Sequence, residues 1–263
     1  MNDYIEIQDN YDRGNGATSS GLLTGATTLS GVMTRVYIWM TAALFITAAA
    51  AFLTVSSQTV LSLIFGNQIA IWVLFIAELG LVVGLSAGLN RLSPTAATAL
   101  FLLYALINGL TLSVIFFAYE IGTITQAFAA SALTFGAMSV FGATTKKDLS
   151  SLGGLLFMGL IGLIIASIVN AFWANSTMDA IITYIGVFIF VGLTAYDTQK
   201  IKAMTAAVES GGDVALTRKI AILGALTLYL DFINLFLYIL RLFNMALHGG
   251  NRKRHGSFSP SLR

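Results

Sequence analysis

The sequence predicts an all-α polytopic membrane protein, and three observations carry that prediction. Of 263 residues, 57% are hydrophobic and only 10% are charged, with a mean hydropathy of +0.83. A water-exposed domain usually carries about 25% charged residues, so lipid is the expected solvent. The apolar runs reach the roughly 18 residues that a spanning helix needs. Finally, there are only two prolines, Pro94 and Pro260, and no long alternating strands of the kind a β-barrel needs.

Seven candidate spans follow in order, at about residues 35–56, 69–89, 95–119, 122–142, 152–173, 178–197 and 219–245. The polar breaks between them are SSQTVLSLIFGNQ, NRLSP, EIG, TTKKDLSS, ANSTMD and TQKIKAMTAAVESGGDVALTRK. The last of these resembles a helix extension plus a Gly-Gly turn and leaves open whether the sixth span continues helically through TQKIKAM. EIG at 120–122 is so short that the third and fourth spans read as one helical hairpin with a tight turn. The expected organisation is a flexible tail over 1–30, a transmembrane domain over 31–247, and a basic tail over 248–263. The first twenty residues are polar and acidic, unlike a cleavable signal peptide.

Orientation follows the basic residues. Arg13 and Arg35 flank the first span, Arg91 follows the second, and Lys146 and Lys147 follow the fourth. Lys200, Lys202, Arg218 and Lys219 occupy the last connection, and the alternate loops hold no lysine or arginine. A cytoplasmic N-terminus and an external C-terminus are therefore expected, with Arg252, Lys253 and Arg254 dissenting. The run LGGLLFMGLIGL carries Gly153, Gly154, Gly159 and Gly162, which read as helix-packing positions.

Charges inside spans cost about 2.5–3.5 kcal/mol each on insertion scales and usually face the bundle interior. The candidates are Glu78, Asp197, Asp231 and Arg241, with Arg91 at a boundary. At about 1.5 Å per residue, Asp231 lies roughly 18 Å into the last span, level with Glu78. The same counting leaves Asp197 near the cytoplasmic end, level with Arg91, and about 15 Å from Asp231 along the membrane normal. Each has a plainer reading. Arg241 reads equally as an interfacial anchor, Arg91 as a marker of the basic side, and Asp197 as a span end in the headgroups. Glu120 and Asp179 read as solvated loop residues.

Several function classes drop out. Without cysteine there is no disulfide or thiolate chemistry. The two histidines, His248 and His255, lie in the C-terminal tail, and there is no HExxH motif. The aspartates sit in AYDT and YLDF rather than in the GxGD of an intramembrane aspartyl protease, so no enzyme is expected. Three basic residues at 252–254 are too few for nucleic-acid binding. No cofactor is expected.

GLTAYDTQKI (192–201) followed by YLDFINLFLYILRLF (229–243) resembles the Bax inhibitor-1 family, also called the transmembrane Bax inhibitor motif family. INGLTLSVIF (107–116) is similar to that family's third-span signature, and Glu78 and Arg91 stand where the family has an acid and a base. The resemblance runs from about residue 30 to the end of the last span. It implies seven helices with the last central and wrapped by the other six. It also implies a pH-sensitive calcium leak channel in a prokaryotic inner membrane. Asp197 and Asp231 would share a proton as pH sensor and ion pathway, Arg91 would latch one aspartate, and Glu78 and Arg241 would be further polar residues of the centre. Two carboxylates in contact titrate as a unit. They would hold Ca²⁺ only weakly, because the ion takes 6–8 oxygen ligands. The implied partners are membrane lipids, Ca²⁺ and H⁺, with a membrane-bound protease as a further one. A proton-coupled cation exchanger and an interaction protein stay open as alternatives.

Overall fold

A computed structural model describes residues 31–88, 91–209 and 214–255. The expected N-terminal tail and the last eight residues lie outside the described residues. Helix α1 covers Gly31–Ser56. It is followed by α2 (Gln58–Phe65), α3 (Gln68–Gly88), α4 (Pro94–Leu112), α5 (Ile115–Ala118), α6 (Ile121–Thr144), α7 (Ser150–Trp173), α8 (Ser176–Glu209) and α9 (Val214–His255). Seven membrane-length spans result: α1, α3, α4 with α5, α6, α7, α8 and α9. Among the described residues there is no strand.

The breaks have local causes. Ser57 is extended and its side chain accepts from the Val60 amide, so α2 starts inside a segment that the sequence reads only as a break. Asn67 Oδ1 accepts from the Ile69 amide and opens α3. Ser93 caps α4, with Pro94 at the first helical position, where its missing amide costs nothing. Ser113 turns its hydroxyl onto the Leu110 carbonyl at 2.6 Å, and the third span is interrupted there before α5. Tyr119 and Glu120 are extended, which makes EIG a tight reversal. Ala174 adopts a left-handed φ of 47°, closes α7 through a bond to the Asn170 carbonyl, and lets Asn175 cap α8.

The two last spans are longer than their apolar runs, as the reading of 198–204 as a helix extension anticipates for the sixth. α8 runs on through TQKIKAM to Glu209, and α9 begins at Val214 and continues helically to His255, into the expected tail. The basic segment 198–219 is therefore mostly two helix extensions rather than a loop.

Enclosure differs sharply between spans. Within the apolar window of each span, 72% of α9 is buried, against 6% for α3 and 11% for α7. α9 packs directly on α8, α6 and α4, while α7 rests chiefly on α8, and α3 on α4 and α2. Two glycines allow the closest approaches. A Cβ on Gly109 would fall 2.5 Å from the Thr47 carbonyl of α1, and one on Gly142 would run into the Ala195 carbonyl of α8. The α7 glycines divide: Gly153 lies against the Tyr196 ring and Gly159 against Ile189, whereas Gly154 and Gly162 face open space.

Candidate functional site

α8 and α9 pack against each other extensively, and each contributes one aspartate to the groove beside their contact. The extensions explain how the two acids meet. Asp197 lies twelve residues from the end of α8 at Glu209, and Asp231 lies seventeen from the start of α9 at Val214. Measured from the tip of this hairpin, the depths are about 18 Å and 26 Å. The offset of about 15 Å expected from the shorter spans thus falls to roughly 8 Å before tilt is counted. Asp197 is not a span end; it is an interior helical residue whose side chain is within hydrogen-bonding and Coulombic reach of Asp231.

Asp231 is buried, and its Oδ2 is enclosed without a hydrogen-bond partner among the described residues. Buried carboxyl oxygens without a partner are rare in folded proteins, so this one marks the pair as a candidate site. Lys200, one turn after Asp197, acts electrostatically on it and lies 5.7 Å from the Tyr196 ring centroid.

The rest of DTQKIK holds this arrangement in place. Thr198 Oγ1 donates to the Thr194 carbonyl at 2.7 Å and lies 3.5 Å from Ser139 of α6. Gln199 grips the α6–α7 loop from both ends of its amide, accepting from the Leu149 amide at 2.9 Å and donating to the Lys147 carbonyl at 2.8 Å. Lys202 Nζ donates to the Ala143 carbonyl at 2.7 Å. In that loop Asp148 accepts from Ser150, which holds its carboxyl below the ordinary value of 3.8.

A groove of about 930 Å³ opens onto the pair. Glu78, Asp197, Asp231 and Arg241 all line it, so four of the five candidate residues share one space. Glu78 is half-buried, accepts from Thr111 Oγ1 at 2.7 Å and lies within reach of the Asn108 side chain. Arg241 is exposed, with its guanidinium 5.8 Å from the Tyr238 ring centroid. Arg91 stands apart: it is exposed in the α3–α4 turn and is not among the charged groups acting on either aspartate.

A second polar cluster backs Glu78. Tyr229, wholly buried, donates to Asn108 Oδ1 at 3.0 Å, and Thr47 Oγ1 lies 2.7 Å from its hydroxyl. Tyr229 also meets the edges of Phe101 and Tyr104, each 5.8 Å between centroids. The chain Thr47–Tyr229–Asn108–Glu78–Thr111 thus joins α1, α9, α4 and α3. Charge-based reading of the sequence missed Thr47, Asn108, Thr111 and Tyr229. The available signal was neutral polar residues inside spans, three of the four within INGLTLSVIF and YLDF themselves and Thr47 within the first span.

A family model described as "Inhibitor of apoptosis-promoting Bax1" matches residues 29–247. The chain belongs to the Bax inhibitor family. Among relatives, the "Inner membrane protein YbhL" of Escherichia coli strain K12 is 48% identical over 225 residues, covering 86% of this chain and 93% of that protein. An uncharacterized protein of Borreliella burgdorferi is 44% identical, covering 80% and 89% of the two chains. An uncharacterized protein of Deinococcus radiodurans is 43% identical, covering 81% and 89%. In this Bax inhibitor family member, the two aspartates carried by its distinctive motifs are the ones that α8 and α9 bring together. Among the described residues no group of three or more histidines, aspartates or glutamates is poised to hold a metal.

Proposed function

We propose that this membrane protein is a pH-sensitive calcium leak channel whose gate is the Asp197–Asp231 pair. The observation that carries the reading is Asp231 Oδ2, enclosed and without a hydrogen-bond partner among the described residues, beside a second carboxyl at the wall of a largely apolar groove. With one proton between them the acids can share a hydrogen bond. Loss of that proton leaves adjacent negative charges, which repel across the α8–α9 contact and attract a cation from the groove. Ca²⁺ would be cargo, held transiently by two carboxylates rather than by a 6–8-oxygen cage. Arg91 is the proposed latch, and it must approach from the α3–α4 turn to engage an aspartate. We place the N-terminus in the cytoplasm, on the side of Arg35, Arg91 and Lys146.

Calcium flux into dye-loaded proteoliposomes, followed across pH, tests this. Asp197→Asn and Asp231→Asn are each expected to flatten the pH profile. A profile unchanged in both variants would overturn the reading. The same buried acids suit a proton-coupled exchanger. An imposed proton gradient separates the two: only an exchanger moves calcium against its own gradient.

A further inference from the structure

A separate cavity of about 630 Å³ lies between the starts of α1, α4 and α9. These are the first, third and seventh spans, so all three run inward from the same, basic end of the bundle. Each lines the cavity with a polar side chain and, four residues deeper, an apolar one: Arg35 and Trp39 on α1, Thr98 and Leu102 on α4, Arg218 and Ile222 on α9. Residues four apart share a helix face, so the three pairs stack into one graded wall. Among the described residues, neither the Arg35 nor the Arg218 side chain has an ion pair, a hydrogen bond or a ring contact. The cavity therefore has two free guanidiniums at its mouth and an indole and aliphatic side chains below.

The geometry points to a binding site for an anionic phospholipid. Its headgroup phosphate would sit between Arg35 and Arg218, and an acyl chain would lie along Trp39, Leu102 and Ile222. Guanidinium forks match phosphate oxygens, and basic pockets between spans favour acidic headgroups. A free phosphate would leave the apolar depth empty. The chain's own acidic start, with Asp3, Glu6, Asp9 and Asp12, offers charge but little apolar length to fill it.

The test uses the three tryptophans, Trp39, Trp72 and Trp173. In the full-length chain carrying Trp72→Phe and Trp173→Phe, Trp39 reports the cavity by fluorescence. The protein is placed in mixed phosphatidylcholine–phosphatidylglycerol vesicles with bromine on the acyl chains of one lipid or the other. Quenching is expected to show phosphatidylglycerol enriched at Trp39 on the order of tenfold, as two basic residues at an anionic surface supply. Arg35→Gln with Arg218→Gln should bring this to parity, while Arg35→Lys with Arg218→Lys should keep much of it. Equal quenching by both lipids in the parent, or enrichment untouched by the glutamine pair, would overturn the site. Displacement of the lipid by inorganic phosphate would overturn the acyl-chain part. Enrichment that emerges only after deletion of residues 1–25 would give the groove to the chain's own acidic segment instead.

Discussion

Tyr229 and Asp231 stand two residues apart on α9, and so point about 200° apart around it. Both are buried polar groups on the most enclosed helix. Tyr229 faces α1 and α4, where Thr47 and Asn108 satisfy its hydroxyl and two aromatic rings enclose it. Asp231 faces the groove beside another acid, with one oxygen unpartnered. One side of the helix is finished and the other is left open to a proton or ion. Buried polar groups with complete partners fix a structure, whereas an incomplete one marks a place where something must arrive.

Exchanging the two perturbations should separate the sides. Asp231→Asn is expected to remove most of the pH response of calcium flux while the protein stays folded. Tyr229→Phe should do the reverse: it lowers resistance to unfolding in mixed detergent by about 1 kcal/mol and leaves the pH profile in place. If Tyr229→Phe moved the profile as far as Asp231→Asn, the two sides would be one coupled device. A smaller contrast tests the packing behind each face. Gly142→Ala forces a methyl group onto the Ala195 carbonyl and should cost about 1–3 kcal/mol. Gly136→Ala meets open space and should cost nothing measurable or add helix propensity. Thermal unfolding of the two purified variants reads this directly.

The α8 extension offers a gentler probe. Gln199→Ala removes both bonds to the α6–α7 loop and should raise hydrogen exchange at residues 147–149 before it changes flux. Exchange confined to its parent level would mean that the loop is held by Lys202 instead. The smallest effect is expected at Asp148. Its carboxyl is held low by Ser150, so its contribution is present at neutral pH and fades as pH falls below about 4. Asp148→Asn should therefore flatten only the acid end of a stability–pH curve.

Much of this was legible in residue order. Long apolar runs cannot sit in water, so seven spans follow from composition and length, and the positions of Glu78, Asp197, Asp231 and Arg241 mark them as interior or interfacial. Breaks read from residue order held at NRLSP and at EIG, where the chain does turn. The polar stretch TQKIKAM reads as a helix extension before a Gly-Gly turn, but residue order does not say how far the helix runs or what holds it. In the fold Gln199 reaches the Lys147 carbonyl of the α6–α7 loop and Lys202 the Ala143 carbonyl near the end of α6, which lets α8 run on.

The sequence by itself determined the membrane class, the number of spans and the identity of the costly charges, because these depend on transfer free energies that sum along the chain. Only the tertiary structure decided which charges meet. That Asp197 comes within reach of Asp231, that Glu78 leans on Thr111, and that Arg91 is not among the charges acting on either aspartate depend on helix length beyond the apolar run and on glycine-limited approach of helices distant in sequence. Such contacts are set by packing between elements, and no local pattern in the chain encodes them.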